Sequence, residues 1–311
     1  MRDFHTPVLA REVIDLLKIV PGGCYCDATV GGGGHAELIL EHSSPDGKLI
    51  GVDQDQAAVE FCKERLARFG DRVTLLKGNF GNLARLLDEQ KVGPLDGLLL
   101  DLGVSSHQFD TPSRGFSLSQ EGPVDMRMDP EEERTAAKLI ADSKEEELAR
   151  IIWKLGEERA SRKIARAIKK AQEKGELQST IDLAQVVAGA VRARGHRKIH
   201  PATRTFMALR MAVNDELGVL ARLLDSFGDL LRPGGRIAII SFHSLEDRAV
   251  KTQFGQLSKS CVCPPDLPVC ACNRTPKLKF VNKKPIFAKQ EEVTENHRAR
   301  SARLRVAERL P

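Results

Sequence analysis

Three kinds of residue in this chain could do chemistry: acids that close short apolar runs, four glycines in a row, and a doublet of cysteine pairs. The glycines stand in Asp27-Ala28-Thr29-Val30-Gly31-Gly32-Gly33-Gly34-His35-Ala36. Residues without a Cβ let the backbone approach a ligand closely, and the helix start that follows favours a negative group such as a carboxylate. About twenty residues on, the run Gly51-Val52 ends at Asp53, where doubly wound folds place an acid for ribose hydroxyls. A nicotinamide cofactor would fit that pair, but counted from Gly31 the last position of G-x-G-x-x-G is Ala36, so the motif survives only in degenerate form. Asn79-Phe80 offers a polar edge and an aromatic face for an adenine. Asp101 closes a further apolar run, and an acid at such a strand end faces the crevice where open α/β sheets bind ligands.

The cysteines Cys261, Cys263, Cys270 and Cys272 form two C-x-C pairs. Four thiolates can close a tetrahedral zinc site, yet zinc ligands usually pair as C-x-x-C. A loop of reduced thiols with no metal is therefore the default reading, and zinc the lesser one.

These side chains need a scaffold, and the hydropathy pattern supplies one. Short apolar runs near Cys24 to Ala28, Leu49 to Asp53, Val73 to Lys77 and Leu95 to Leu102 alternate with helical patterns, which predicts βα units and a parallel sheet. From Ser105 to Pro201 the alternation stops. A turn-rich charged stretch gives way to helices over Ser143 to Lys154 and Glu157 to Glu173, the first opened by Ser143 and Glu146 as a capping box, and to another starting at Thr180. A long amphipathic helix is expected from Thr203 to Leu231, then a turn at Pro233-Gly234-Gly235 and a buried strand over Arg236 to Phe242. The expected fold is thus α/β, a Rossmann-like doubly wound sheet carrying an all-helical insertion after its fourth strand. Residues 1–104 and 203–311 would form one discontinuous domain and 105–202 the insertion.

The 311 residues, 41% hydrophobic and 29% charged, are those of an ordinary globular protein. Only 5% are aromatic, with single Trp153 and Tyr25, so base stacking would fall to Phe, His or Arg. No apolar stretch approaches the ~18 residues of a membrane span, and the N-terminus lacks a signal-peptide core. With seven cysteines, an odd set, reduced thiols in the cytosol are expected. Net charge is +5, but residues 273–311 alone carry eleven Lys and Arg against four Glu, and Leu183 to Asn214 contains Arg192, Arg194, Arg197, Lys198, Arg204 and Arg210 with no acid. Such windows suit phosphates as well as they suit a solvated face.

Longer motifs narrow the reading. HTPVL from His5, DATVGGGGHA, GVDQD from Gly51, GNF from Gly78, DLGVSSHQFD from Asp101, RGFS, DMRMD, HPATRTFMALRMAVNDEL from His200, SFHSLEDR and the terminal NHRARSARLRVAER run in order across nearly the whole chain. In these the chain resembles the RsmH (MraW) family, ribosomal small-subunit RNA cytidine-N4 methyltransferases. The resemblance implies a class I S-adenosylmethionine-dependent methyltransferase fold, with S-adenosylmethionine as cofactor and a decoding-centre cytidine of 16S rRNA as substrate. It implies that Gly33, Gly34 and His35 touch the methionine part, Asp53 the ribose, Phe80 the adenine, and Asp101 and Gln108 the region of the sulfonium.

The N4 lone pair of cytosine is delocalised into the ring, so an acceptor that orients the amine and stabilises developing charge is needed. Asp101 is the candidate, although DLGVSS stands where many amino-methyltransferases carry Asp or Ser, two prolines and an aromatic. A base splayed from folded RNA could meet Phe242 and His243, the latter equally readable as a strand-end histidine. Arg204 and Arg210 could hold phosphates, and Arg127 in its polar loop is either solvated or part of a lid. Two other classes stay open: a methyltransferase of DNA, protein or a small molecule, and a non-catalytic RNA-binding assembly factor. A homodimer is neither required nor excluded.

Overall fold

The computed structural model describes residues 7–191, 199–263, 272 and 274–311. His5, Thr6, Arg192, Arg194, Arg197, Lys198 and Cys270, named above, lie outside them. The chain forms two compact units, residues 1–103 with 217–311, and residues 104–216.

The first unit is built on β1 (Cys24–Asp27), β2 (Lys48–Asp53), β3 (Val73–Lys77), β4 (Leu95–Asp101), β5 (Leu231–Ser241), β6 (Leu278–Phe280) and β7 (Arg303–Arg309). Their order is β3-β2-β1-β4-β5-β7-β6, parallel through β5 and antiparallel about β7. This is a doubly wound, Rossmann-like sheet. Its direction of assembly reverses between β1 and β4, so the crevice for a ligand opens at their carboxyl ends.

Helices α1 (Ala10–Leu17), α2 (Gly34–His42), α3 (Gln56–Arg65), α4 (Leu83–Glu89), then α11 (Glu216–Leu230), α12 (Ser244–Leu257) and α13 (Gln290–Glu295) complete this unit. Side chains alternate across a strand, and both faces of the sheet are covered. Leu98, Leu100, Ile237 and Ile239 pack with Leu220, Leu224, Phe227 and Phe254. Leu99, Ala238 and Ile240 turn to Val13, Leu17, Ile39 and Leu40. Leu231 pairs with Leu95 and Arg236 with Gly97, so residues 232–235 loop out of β5 as a bulge in place of the expected turn.

The second unit contains α5 (Ser106–Asp110), α6 (Ala136–Asp142), α7 (Glu145–Gly156), α8 (Ser161–Glu173), α9 (Thr180–Ala190) and α10 (Thr203–Val213) around a core of Leu148, Ile152, Ile164, Ile168, Val187, Phe206 and Leu209. Two local expectations fail. The helix expected from Thr203 to Leu231 is two helices, α10 and α11, because Asp215 adopts a left-handed φ of 47°. Beside it, the Asn214 side chain accepts from Met128 N–H at 2.7 Å and donates to the carbonyls of Met126 and, within α10, Arg210, each at 2.8 Å. Nor does Ser143 cap α7: the N-cap is Lys144, and Ser143 Oγ is buried with no hydrogen-bond partner among the described residues. The capping box forms instead at α9, between Ser179 and Asp182.

No helix of the described residues is long and apolar enough to cross a membrane. Part of the basic C-terminal stretch is built into the sheet, while Lys277, Lys283, Lys284, Lys289 and Arg300 are exposed. Arg305 is buried in β7 and pairs with Asp247 at 2.6 Å, and Arg236 and Lys279 both meet Glu308.

Candidate functional site

The turn after β1 shows how the sequence prepares a binding surface. Gly31 and Gly33 hold φ of 49° and 75°, the left-handed region that favours glycine. A Cβ on Gly33 would lie 3.1 Å from Cys62 Sγ. Two side chains of α3 fasten the loop from behind: Cys62 Sγ donates to the Gly31 carbonyl at 3.2 Å, and Arg65 donates to the Gly32 carbonyl at 2.7 Å while pairing with Glu37 of α2. With its carbonyls committed to α3, the loop presents backbone N–H groups at the start of α2, whose N-cap Gly33 supplies no side-chain cap. Neither Cys62 nor Arg65 is visible as functional in the sequence, since their partners lie some thirty residues away.

The acids line up at the strand ends. Asp27 closes β1, is fully buried, and accepts the Thr29 N–H at 3.1 Å. Asp53 closes β2 and accepts from Gly31 N–H and Asp55 N–H, each at 2.9 Å, joining the glycine turn to the second strand. Asp101 closes β4, its own N–H donated to Thr29 Oγ1 at 2.7 Å. The side chain of Asp101 is 27% exposed and its Oδ2 lies 3.7 Å from His35 Nε2. Its Oδ1 is buried and has no hydrogen-bond partner among the described residues.

Electrostatics follow from this crowding. Burial, with Asp53 nearby, pushes the Asp27 carboxyl up to about 7. Burial, then the charges of Asp27 and Glu246, raise Asp101 well above the usual carboxylate range. Burial lowers His35 to about 4, against a smaller opposing effect of the Val8 backbone, so its ring is neutral. Cys62, also under the influence of Asp27 and Asp53, is raised to about 12 by burial and remains a thiol. A group of carboxyls that resist ionisation is a place where a cationic ligand gains most. An orphaned carboxyl oxygen, a neutral imidazole and a glycine turn at the start of α2 therefore fit a donor that carries a sulfonium and a carboxylate.

The remaining expected residues are placed as follows. Gly34 opens α2 against Pro7. Phe80 follows β3 half-buried, packed on the core under α4, while Asn79 is spent as a cap for Gly81 and on Gln54. Gln108 lies in the second unit, buried, where its side chain completes a capping box with Ser105 on α5. Phe242 and His243 follow β5, as expected. His243 is the N-cap of α12, its Nδ1 accepting from Glu246 N–H and its Nε2 3.0 Å from Glu246 Oε1. Its Nε2 is nevertheless buried with no hydrogen-bond partner among the described residues.

Two arginines divide. Arg204 is exposed and lines a cavity of about 660 Å³ in the second unit, with Glu158, Arg159, Lys163, Ile199 and His200. Arg210, expected to hold a phosphate, instead makes a bidentate pair with Glu216 at 2.7 and 2.8 Å, largely buried, and so is neutralised within the protein. Arg127 grips both oxygens of Asp125 and the carbonyls of Pro130 and Glu132, so it braces its own loop rather than standing in solvent.

Known proteins provide independent information. A family model described as the MraW methylase family matches residues 2–310. A ribosomal RNA small subunit methyltransferase H of Geobacter sulfurreducens is 53% identical over 307 residues, covering 98% of this chain and 99% of the relative. Its counterpart from Symbiobacterium thermophilum is 50% identical, covering 98% and 96%.

Proposed function

The chain belongs to the MraW methylase family, and from that premise we propose that it is an S-adenosylmethionine-dependent methyltransferase acting on the N4 amine of a decoding-centre cytidine in 16S rRNA. The observation that carries the chemistry is Asp101, a carboxyl at the switch point of the sheet with one buried oxygen awaiting a partner. S-adenosylmethionine supplies an activated methyl group on a sulfonium.

The residues of this chain bind, orient and stabilise. The N–H groups after Gly33 take the donor's carboxylate, Asp53 its ribose hydroxyls and Phe80 its adenine face. Gly34 keeps the α2 entrance narrow, and neutral His35 offers a hydrogen bond beside Asp101. Once the sulfonium is bound, the ionised form of Asp101 is favoured, and its free oxygen accepts an N4 hydrogen of the cytosine. That hydrogen bond holds the amine in line and balances the positive charge that develops on nitrogen. Phe242 meets the base, and His243 fixes the segment that carries it. We assign substrate recognition to the helical unit, whose cavity gathers Arg159, Lys163, His200 and Arg204 for phosphates, with Gln108 at its entrance segment. The proposed setting is the cytoplasm, with the small ribosomal subunit or its precursor as partner.

The deciding experiment is nucleoside mass mapping of small-subunit RNA from cells with and without the gene, followed by methylation of the undermethylated subunit by purified protein. Loss and restoration of one N4-methylcytidine is the expected result. An unchanged nucleoside profile in the deletion strain overturns the assignment.

A further inference from the structure

The connection between α12 and β6 holds a group of sulfurs that plays no part in the donor pocket. Its neck is closed by backbone: Lys277 N–H donates to the Leu257 carbonyl at 2.8 Å, and the Arg274 guanidinium donates to the Gln256 carbonyl at 2.6 Å. Beyond the neck, the Sγ atoms of Cys261, Cys263 and Cys272 all lie within 4.8 Å of one another. Cys272 Sγ is 3.8 Å from Cys261 Sγ, far beyond a disulfide bond of about 2.05 Å. It does match the edge of a tetrahedron of sulfurs around zinc, which for a Zn–S distance of about 2.3 Å is about 3.8 Å. The Cys263 N–H donates to Cys261 Sγ at 3.4 Å, the kind of outer hydrogen bond that favours a charged, metal-bound thiolate.

We propose that Cys261, Cys263 and Cys272 form a structural zinc(II) site that cross-links this loop. Zinc ligands carried on a single turn pair as C-x-x-C, whereas here the two C-x-C segments meet above the closed neck. Binding replaces the thiol protons, which pass to the buffer, by one metal ion with no change of oxidation state. Zinc is preferred to harder divalent ions because the ligands are thiolates. The fourth position is open to water. Cys261 is exposed, giving the ion a path in.

The test uses the full chain, purified without a metal-binding tag and without chelator. Elemental analysis should find about one zinc per chain, falling below about a tenth in the double variant Cys261→Ser with Cys272→Ser. Cobalt(II) added to zinc-stripped protein should give the thiolate-to-metal charge-transfer absorption and the intense visible bands of a tetrahedral site, absent from the variant. Donor affinity measured by calorimetry should change less than about twofold, because the site shares no residue with the pocket. Zinc below about a tenth per chain in the wild type after equilibration with the metal overturns the proposal, as does equal zinc in the variant, or iron or copper in its place. Should the variant fail to fold, the cobalt spectrum of the wild type decides alone.

Discussion

Replacing Asp27 by Asn tests the electrostatic account of the pocket without any ligand. In the folded chain the Asp27 carboxyl is raised from 3.8 to about 7. A group raised on folding stabilises fully below its unfolded value, and that stability is lost as pH rises through the folded value. Between pH 5 and 7.5 the loss amounts to about 2.5 kcal/mol. His35 works with the opposite sign. Lowered from 6.5 to about 4, it costs stability as pH falls below its unfolded value, about 2 kcal/mol over the same interval. In the wild type these two trends nearly cancel from pH 5 to 6.5, and the raised Asp101 adds a fall in stability with rising pH. In Asp27→Asn the Asp27 trend is removed and the histidine trend stays, so the difference in stability between pH 7.5 and 5 should become more positive by about 2.5 kcal/mol than in the wild type. Asp101 enlarges the effect, because the Asp27 charge is one cause of its own raised value. A constant cost of burying an amide cancels in this comparison. Trp153 sits in the second unit, so its fluorescence reports the wrong part of the chain. Peptide-resolved pulse labelling of the buried Cys26 thiol during denaturant unfolding reports the opening of β1 itself. Parallel pH profiles for the two proteins refute the reasoning.

Asp101→Asn should keep donor affinity within a few-fold yet lower single-turnover methylation by about 100-fold or more; unchanged turnover removes the residue from the chemistry. Gly33→Ala should cost about 1–2 kcal/mol of stability, from the left-handed φ and the approach to Cys62, and should weaken donor binding. A thermal melt together with calorimetry checks it, and a variant that melts and binds like the wild type contradicts the described loop. Combined Arg159→Ala, Lys163→Ala and Arg204→Ala should weaken RNA binding and flatten its dependence on salt, the log–log slope falling by about 0.7 for each phosphate that is no longer neutralised. Donor affinity is the control, and an unaltered salt slope would move the RNA surface elsewhere.

The parts of this protein that are legible in sequence are those in which one residue type serves one local purpose. An apolar run stopped by an acid marks a buried parallel strand, and β1 to β4, with the aspartates that close β1, β2 and β4, lie within a residue or two of where the pattern puts them. The C-terminal strand is just as readable, since Leu304 and Val306 alternate with Arg303 and Arg305. Counting charge along the segment conceals the period of two that sorts those residues to opposite faces. The break between α10 and α11 has no local signal of comparable strength, because the Asn214 side chain also takes backbone partners on a loop eighty-odd residues earlier. The pair Arg210 and Glu216 is hidden for the same reason. Six residues apart, they would not face each other on one continuous helix, and only the bend brings them together.

The same distinction separates the visible from the invisible half of the candidate site. Its acids announce themselves by position, whereas the work of keeping them close is done by hydrogen bonds across the sheet. Asp53 spends both oxygens on backbone N–H groups, Thr29 serves Asp27 and Asp101 at once, and Arg65 and Cys62 hold the glycine turn away from collapse. Without such fastening, like charges would separate as the loop relaxed. With it, burial first and then the neighbouring charges keep the carboxyl pKa values raised in the ligand-free protein, and a cation of matching shape would lower them. Part of the affinity for a sulfonium is thus set by folding, and weakening the fastening at Arg65 should relax the raised Asp27 and the donor affinity together.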